Sequence, residues 1–195
     1  MLLQNVQVRV SPAMYAILTG TSGGGTVGPQ GPQGPQGPQG PPGFIPKYGS
    51  FISNVDQAPD ATNPATTPVA ITFSSRTEGN IDIMGVSQIL IPTAGTYRFL
   101  FSAQCISNGS HYIEIWPVIN GTSLPDSNTR IRIASSTESC LTIEYIVTFN
   151  ANDILQLYMR GDSANGRLVY ITGNPSTTPA IPNIPSIILT IHRIA

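Results

Sequence analysis

Charge is what this sequence has least of. Asp, Glu, Lys and Arg make up 10% of its 195 residues, against roughly 25% in ordinary globular chains. One lysine (Lys47) is present, the arginines are scattered singly, and the formal net charge is −1. A nucleic-acid binder needs a basic stripe to neutralise phosphates, so that class of partner is excluded. The two cysteines, Cys105 and Cys140, are too few for a disulfide framework and have no metal-ligand spacing. Both fall in strand-like stretches, and they read as a pair of buried thiols. No apolar run approaches the ~20 residues of a membrane helix, so no membrane partner is expected. Residues 1–19 have no basic start, and Arg9 and Pro12 interrupt their apolar part. The reading is of a chain without a secretory signal, made in the cytoplasm.

Chemistry is scarce as well. His111 and His192 stand far apart, with no cysteine or carboxylate at nucleophile or metal spacing. Glu114 and Glu144 lie within strand-like runs and make no catalytic pair. Gly23-Gly24-Gly25 leads into a proline-rich repeat and not into a helix, so no phosphate-cradling loop is formed. No enzymatic activity, cofactor or metal is expected. Three short motifs have plain readings. Arg160-Gly161-Asp162 spells a cell-adhesion tripeptide by chance. Asn108-Gly109-Ser110 and Asn120-Gly121-Thr122 have the form of glycosylation sequons but read as turns. Asp162 to Asn165 offers oxygens for calcium only in an open arrangement.

What is present falls into three segments. Residues 28–42 read as four Gly-Pro-Gln triplets and one Gly-Pro-Pro, and Gly43 follows in phase. Gly28, Gly31, Gly34, Gly37, Gly40 and Gly43 thus recur every third position, as three chains wound on one axis demand, because only a hydrogen fits there. The alternative is a single-stranded proline-rich spacer. Five triplets at ~3.1 Å per residue span only about 45 Å, so a triple helix this short needs another element to hold three chains together.

Residues 44–195 are expected to supply it. Tyr97, Phe99, Phe101, Ala103 and Cys105 alternate with polar residues, as do Leu141, Ile143, Tyr145, Val147 and Phe149, and then Leu155, Leu157 and Met159. Further strands are expected near 48–52, 69–73, 81–91, 112–119, 129–134, 167–172 and 186–192. Turn-formers punctuate them at Ala94-Gly95, Asn108-Gly109, Asn120-Gly121, Pro125-Asp126 and Asn165-Gly166. About ten short strands without helical periodicity indicate an all-β jelly-roll sandwich. In Ile184 to Ile191 apolar residues take both faces, so the closing strand is expected beside a three-fold axis, with Ile187, Leu189, Ile191, Tyr97 and Phe99 at a trimer interface.

Residues 1–27 form the third segment. Val6, Val8 and Val10 alternate with polar residues, residues 13–18 make a short apolar run that includes Ile17 and Leu18, and a glycine-rich hinge follows. So small a segment cannot bury its own apolar side chains. It is expected to anchor on a larger assembly through Val6, Val8, Val10, Ile17 and Leu18.

Stalk and head together resemble collagen-stalked proteins with a complement-type or tumour-necrosis-factor-like head. The resemblance is carried by Gly95-Thr96-Tyr97-Arg98-Phe99 and by Asn152-Asp153-Ile154-Leu155, where Asn152 stands in the place of a glycine. It implies a ten-stranded jelly roll that forms compact homotrimers. More narrowly, Lys47 to Phe51, Val118 to Gly121, Asp126 to Arg130 and Pro179 to Thr190 are similar to head domains in virion proteins of tailed bacteriophages of cyanobacteria. This implies a fibre or capsid decoration on the virion surface, docked on capsid or tail proteins by its arm. Three roles stay open: a tip that binds host-surface glycan or protein, a decoration that only projects, and a secreted ligand.

Overall fold

The computed structural model describes residues 28–40, 43 and 46–195. The chain divides into two units, Met1–Gly43 and Phe44–Ala195. In the first, residues 28–40 and Gly43 are exposed and have no regular secondary structure. The expected anchor residues Val6, Val8, Val10, Ile17 and Leu18 lie outside the described residues.

The second unit is all-β among the described residues. In chain order its strands are β1 (Tyr48–Ser53), β2 (Val69–Ala70), β3 (Ser75–Gly79), β4 (Asp82–Met84), β5 (Gln88–Leu90), β6 (Gly95–Ser107) and β7 (His111–Ile119). They continue with β8 (Thr122–Ser123), β9 (Thr129–Ile133), β10 (Glu138–Phe149), β11 (Ile154–Gly161), β12 (Gly166–Leu168) and β13 (Ile187–Arg193). One sheet runs β10-β6-β13-β1-β3, with β12 beside β6; the other runs β4-β5-β11-β7-β8, with β2 on β11 and β9 on β7. Every pairing is antiparallel, and the two sheets stack as a sandwich.

Alternation explains the stacking. Along β6, Tyr97, Phe99, Phe101, Ala103 and Cys105 are wholly buried, as are Ile187 and Leu189 of β13 and Leu155 and Leu157 of β11. Side chains two apart share one face of a strand, so each sheet presents one apolar face, and the two faces close on each other. Aromatic rings fill the middle. Phe99 stacks on Tyr145 at 5.0 Å between centroids, and Tyr97 meets Phe149 edge-on at 5.6 Å. Each such pair adds about 1 kcal/mol beyond the area it buries.

Several expectations change. Residues 81–91 form the hairpin β4–β5 and not one strand, because the chain turns at Gly85 with φ 62°. β3, whose Ser-Arg-Thr-Glu-Gly has no alternation to read, and two-residue β8 were not anticipated. Only Asn120-Gly121 has positive φ at both residues, and it joins β7 to β8 by a two-residue turn that matches the twist of the strands. Asn152, at the position where the resemblance implies glycine, has φ 68°, a left-handed conformation that Asn tolerates. Of the two thiols only Cys105 is buried; Cys140 is exposed. It follows from parity, since Leu141 faces the core and its neighbour must face out.

Candidate functional site

Glycine positions in the repeat are unconstrained within one chain. A Cβ built at Gly28, Gly31, Gly34, Gly37, Gly40 or Gly43 meets no atom within 4 Å, and none of the six has the positive φ that favours glycine.

The residues expected at a trimer interface lie elsewhere. Tyr97, Phe99, Ile187, Leu189 and Ile191 are 0–1% exposed inside a single chain, so they have no surface left to give a neighbour. The opposite parity of the same strands faces out: Arg98 and Leu100 of β6, Ile188 and Thr190 of β13, Ile52 of β1 and Ile146 of β10. Ile188 pairs directly with Ile52, and Ile146 with Arg98. Ile146 is 64% and Ile188 36% exposed. Between them Arg98 bridges to Glu144, and Arg98, Leu100, Thr190 and His192 line a small hollow of about 140 Å³. This face intersperses apolar side chains with Ser102, Thr190 and the Arg98–Glu144 ion pair.

The other sheet turns a different surface outward. At its centre Glu114 is 2% exposed, yet it accepts hydrogen bonds from Arg160, Arg130 and Asn128. Burial acts to raise its carboxyl, but the hydrogen bonds from Arg160, Asn128 and Arg130 outweigh burial and hold it at about 2. Arg130 also lies 4.2 Å over the Tyr112 ring. Beside this cluster stands Trp116, paired across the strands with Tyr158 at 6.4 Å between ring centroids. Two open depressions share Trp116 and Ser123. One, of about 510 Å³, is completed by Leu124, Asp126, Ser127 and Asn128. The other, of about 230 Å³, is completed by Pro68, Val118, Gly121 and Tyr158.

The loop that walls the larger depression is held from behind. Tyr145 Oη donates to the Ser127 carbonyl at 2.6 Å, Ser127 Oγ to the Leu124 carbonyl at 2.7 Å, and the Leu124 amide to the Pro117 carbonyl at 3.0 Å. Asn128 Nδ2 reaches Glu114 at 3.1 Å. The indole Nε1 of Trp116 donates to Ser123 Oγ at 3.1 Å, which fixes the ring.

The short motifs are absorbed by the framework. Arg160 is held by Glu114 and the Ala65 carbonyl, Gly161 is buried, and Asp162 accepts from the Tyr112 amide. Both charged side chains of the adhesion-like tripeptide are thus engaged within the head. Asn120 bonds both Asp153 and the Ile154 amide. Burial pushes the Cys105 thiol up to about 12, with Cys140 nearby adding to the rise, which leaves it unreactive. Among the described residues no group of three or more His, Cys, Asp or Glu is placed to hold a metal ion.

No family model matches the chain, and no curated protein matches it. Among solved structures, it is similar to the globular domain of a zebrafish complement 1qA protein at 13% identity and a TM-score of 0.47, over 77% of this chain and 98% of that one.

Proposed function

We propose that this chain is a non-enzymatic structural protein that assembles as a homotrimer, with a collagen-like stalk projecting a β-sandwich head. The observation that carries the reading is the glycine repeat. Six glycines keep strict phase although neither their φ angles nor any neighbouring atom within the chain requires glycine. Their spacing answers to a constraint from outside the chain, and three chains on one axis impose that spacing. The outer face around Ile188, Ile52, Leu100 and Ile146 is the surface on which sister heads meet, because it leaves apolar side chains to cover. On the resemblance of residues 47–51, 118–121, 126–130 and 179–190 to phage head domains, the particle decorated is a bacteriophage virion. Residues 1–27 then attach to its capsid or tail.

Gly34→Ala tests the stalk, since the added methyl points at the axis of a triple helix and at nothing within one chain. Loss of collagen-type circular dichroism and of protease resistance across residues 28–43 is the expected result; an unchanged spectrum would reject the triple helix. A chain lacking residues 1–27 should keep its trimeric mass and fail to join particles. Normal incorporation would remove the anchoring role.

A further inference from the structure

The sequence has one tryptophan, and the fold places it where a buried core would gain nothing from it: on the outer face of the β7–β11 sheet, between two depressions. We propose that the Trp116–Tyr158 platform, with Ser123, Asp126 and Asn128, is a binding site for a neutral saccharide. The inference rests on the reading of the head as a projected module, and gives that module a ligand.

The chemistry of the walls selects the class. The π faces of indole and phenol are electron-rich, and the C–H bonds on one side of a pyranose ring are weakly positive, so a sugar ring lies flat on such a platform. Its hydroxyls then need acceptors at the rim. Asn128 commits one N–H of its amide to Glu114 and keeps its carbonyl oxygen and a second N–H. The Asp126 carboxylate is exposed and lines the larger depression. Ser123 Oγ accepts from the indole and retains its own proton to donate. A rim of acceptors with one hydroxyl and one amide donor suits a polyol.

The same walls disfavour anions. Asp126 repels a sulfate or phosphate, and the arginines of the neighbouring cluster, Arg130 and Arg160, both donate to Glu114. At about 510 Å³ the larger depression has the volume of a small-ligand site, and the smaller, about 230 Å³, shares Trp116 and Ser123 with it. The hydrogen bonds behind Ser127 and Leu124 hold the wall in place before any ligand arrives, which lowers the ordering cost of binding.

Because Trp116 is the only indole, its fluorescence reads this site alone. The full-length chain would be titrated with methyl glucoside, cellobiose, maltose and N,N′-diacetylchitobiose, and with a sulfated heparin disaccharide as the anionic control. At least one neutral saccharide should shift the emission saturably, with Kd on the order of 1 mM, and the sulfated sugar should not. Asp126→Ala and Tyr158→Ala should each weaken that binding roughly tenfold, with β-sheet circular dichroism unchanged to show that both variants fold. Silence from all four neutral sugars, equal binding of the sulfated one, or no effect of either substitution would overturn the site. Mass measured on the same sample separates the two ideas. A trimer indifferent to sugars removes only this inference, and a monomer that binds sugar removes only the trimeric reading.

Discussion

The glycines of the head and those of the stalk obey different masters. At Gly161 in β11 a Cβ would sit 2.6 Å from the Tyr112 carbonyl oxygen, and at Gly79, with φ 108°, the backbone itself asks for glycine. Each is explained by atoms of its own chain. In the repeat, six glycines are explained by none. The head thus gives its own reasons for these glycines, and the repeat holds none for its six within one chain. The same division separates the two outer faces of the sandwich. One carries uncovered apolar side chains at Ile146 and Ile188; the other carries satisfied charges around Glu114 and a tryptophan held by Ser123.

That contrast can be broken most forcefully in the head. Phe99→Ala removes a fully buried ring that stacks on Tyr145 and should cost about 3–5 kcal/mol, measured by denaturant unfolding. The packing lost lies within the head, so the cost should be the same with Gly34→Ala in the background. Next in size, Glu114→Gln removes the carboxylate shared by Arg130 and Arg160, whose own side chains stay partly solvated, at about 1.5–3 kcal/mol.

Glu114 also sets an acid limit. Its folded carboxyl sits below the ordinary 4.5, at about 2, so its stabilisation is complete above pH 4.5. That stabilisation is lost progressively as the pH falls toward 2. Unfolding midpoints measured from pH 6 to 2 should drop over that window, and Glu114→Gln should flatten the decline.

The outer face of the other sheet is tested by Ile188→Glu. The substitution puts a charge on a surface residue of β13 and should change monomer stability by less than about 1 kcal/mol while it weakens association, read as a concentration-dependent fall in sedimented mass. Unimpaired association would move the interface elsewhere. The smallest effect is chemical. A maleimide should modify Cys140 and leave Cys105 untouched until the protein unfolds.

Much of the head was legible in the sequence because its physics is periodic. The faces Tyr97–Cys105 and Leu141–Phe149 were read from alternation and lie where alternation puts them. Cys140 was readable by the same rule, one position from Leu141, and judging it by its residue type put it in the core. On the closing strand, the residues expected to face a neighbour lie in the chain's own core for a subtler reason. With apolar residues on both faces of Ile187 to Ile191, alternation leaves open which face meets the chain's own core, and a shift of one residue exchanges the two. The Trp116 platform was not legible at all. Its parts come from β7, β8, β11 and the loop 124–128, and antiparallel registers that no local pattern announces bring Trp116 opposite Tyr158. Glu114 was likewise one acid among ten until β9 and β11 set an arginine on each side of it.

The central claim is that the glycine phase belongs to three chains. Sedimentation equilibrium of the full-length protein tests it without mutation or label. The account predicts a mass three times the 20.7 kDa of one chain, held across dilution. A mass of 20.7 kDa at the same concentrations would contradict it and reduce the Gly-Pro-Gln run to a spacer.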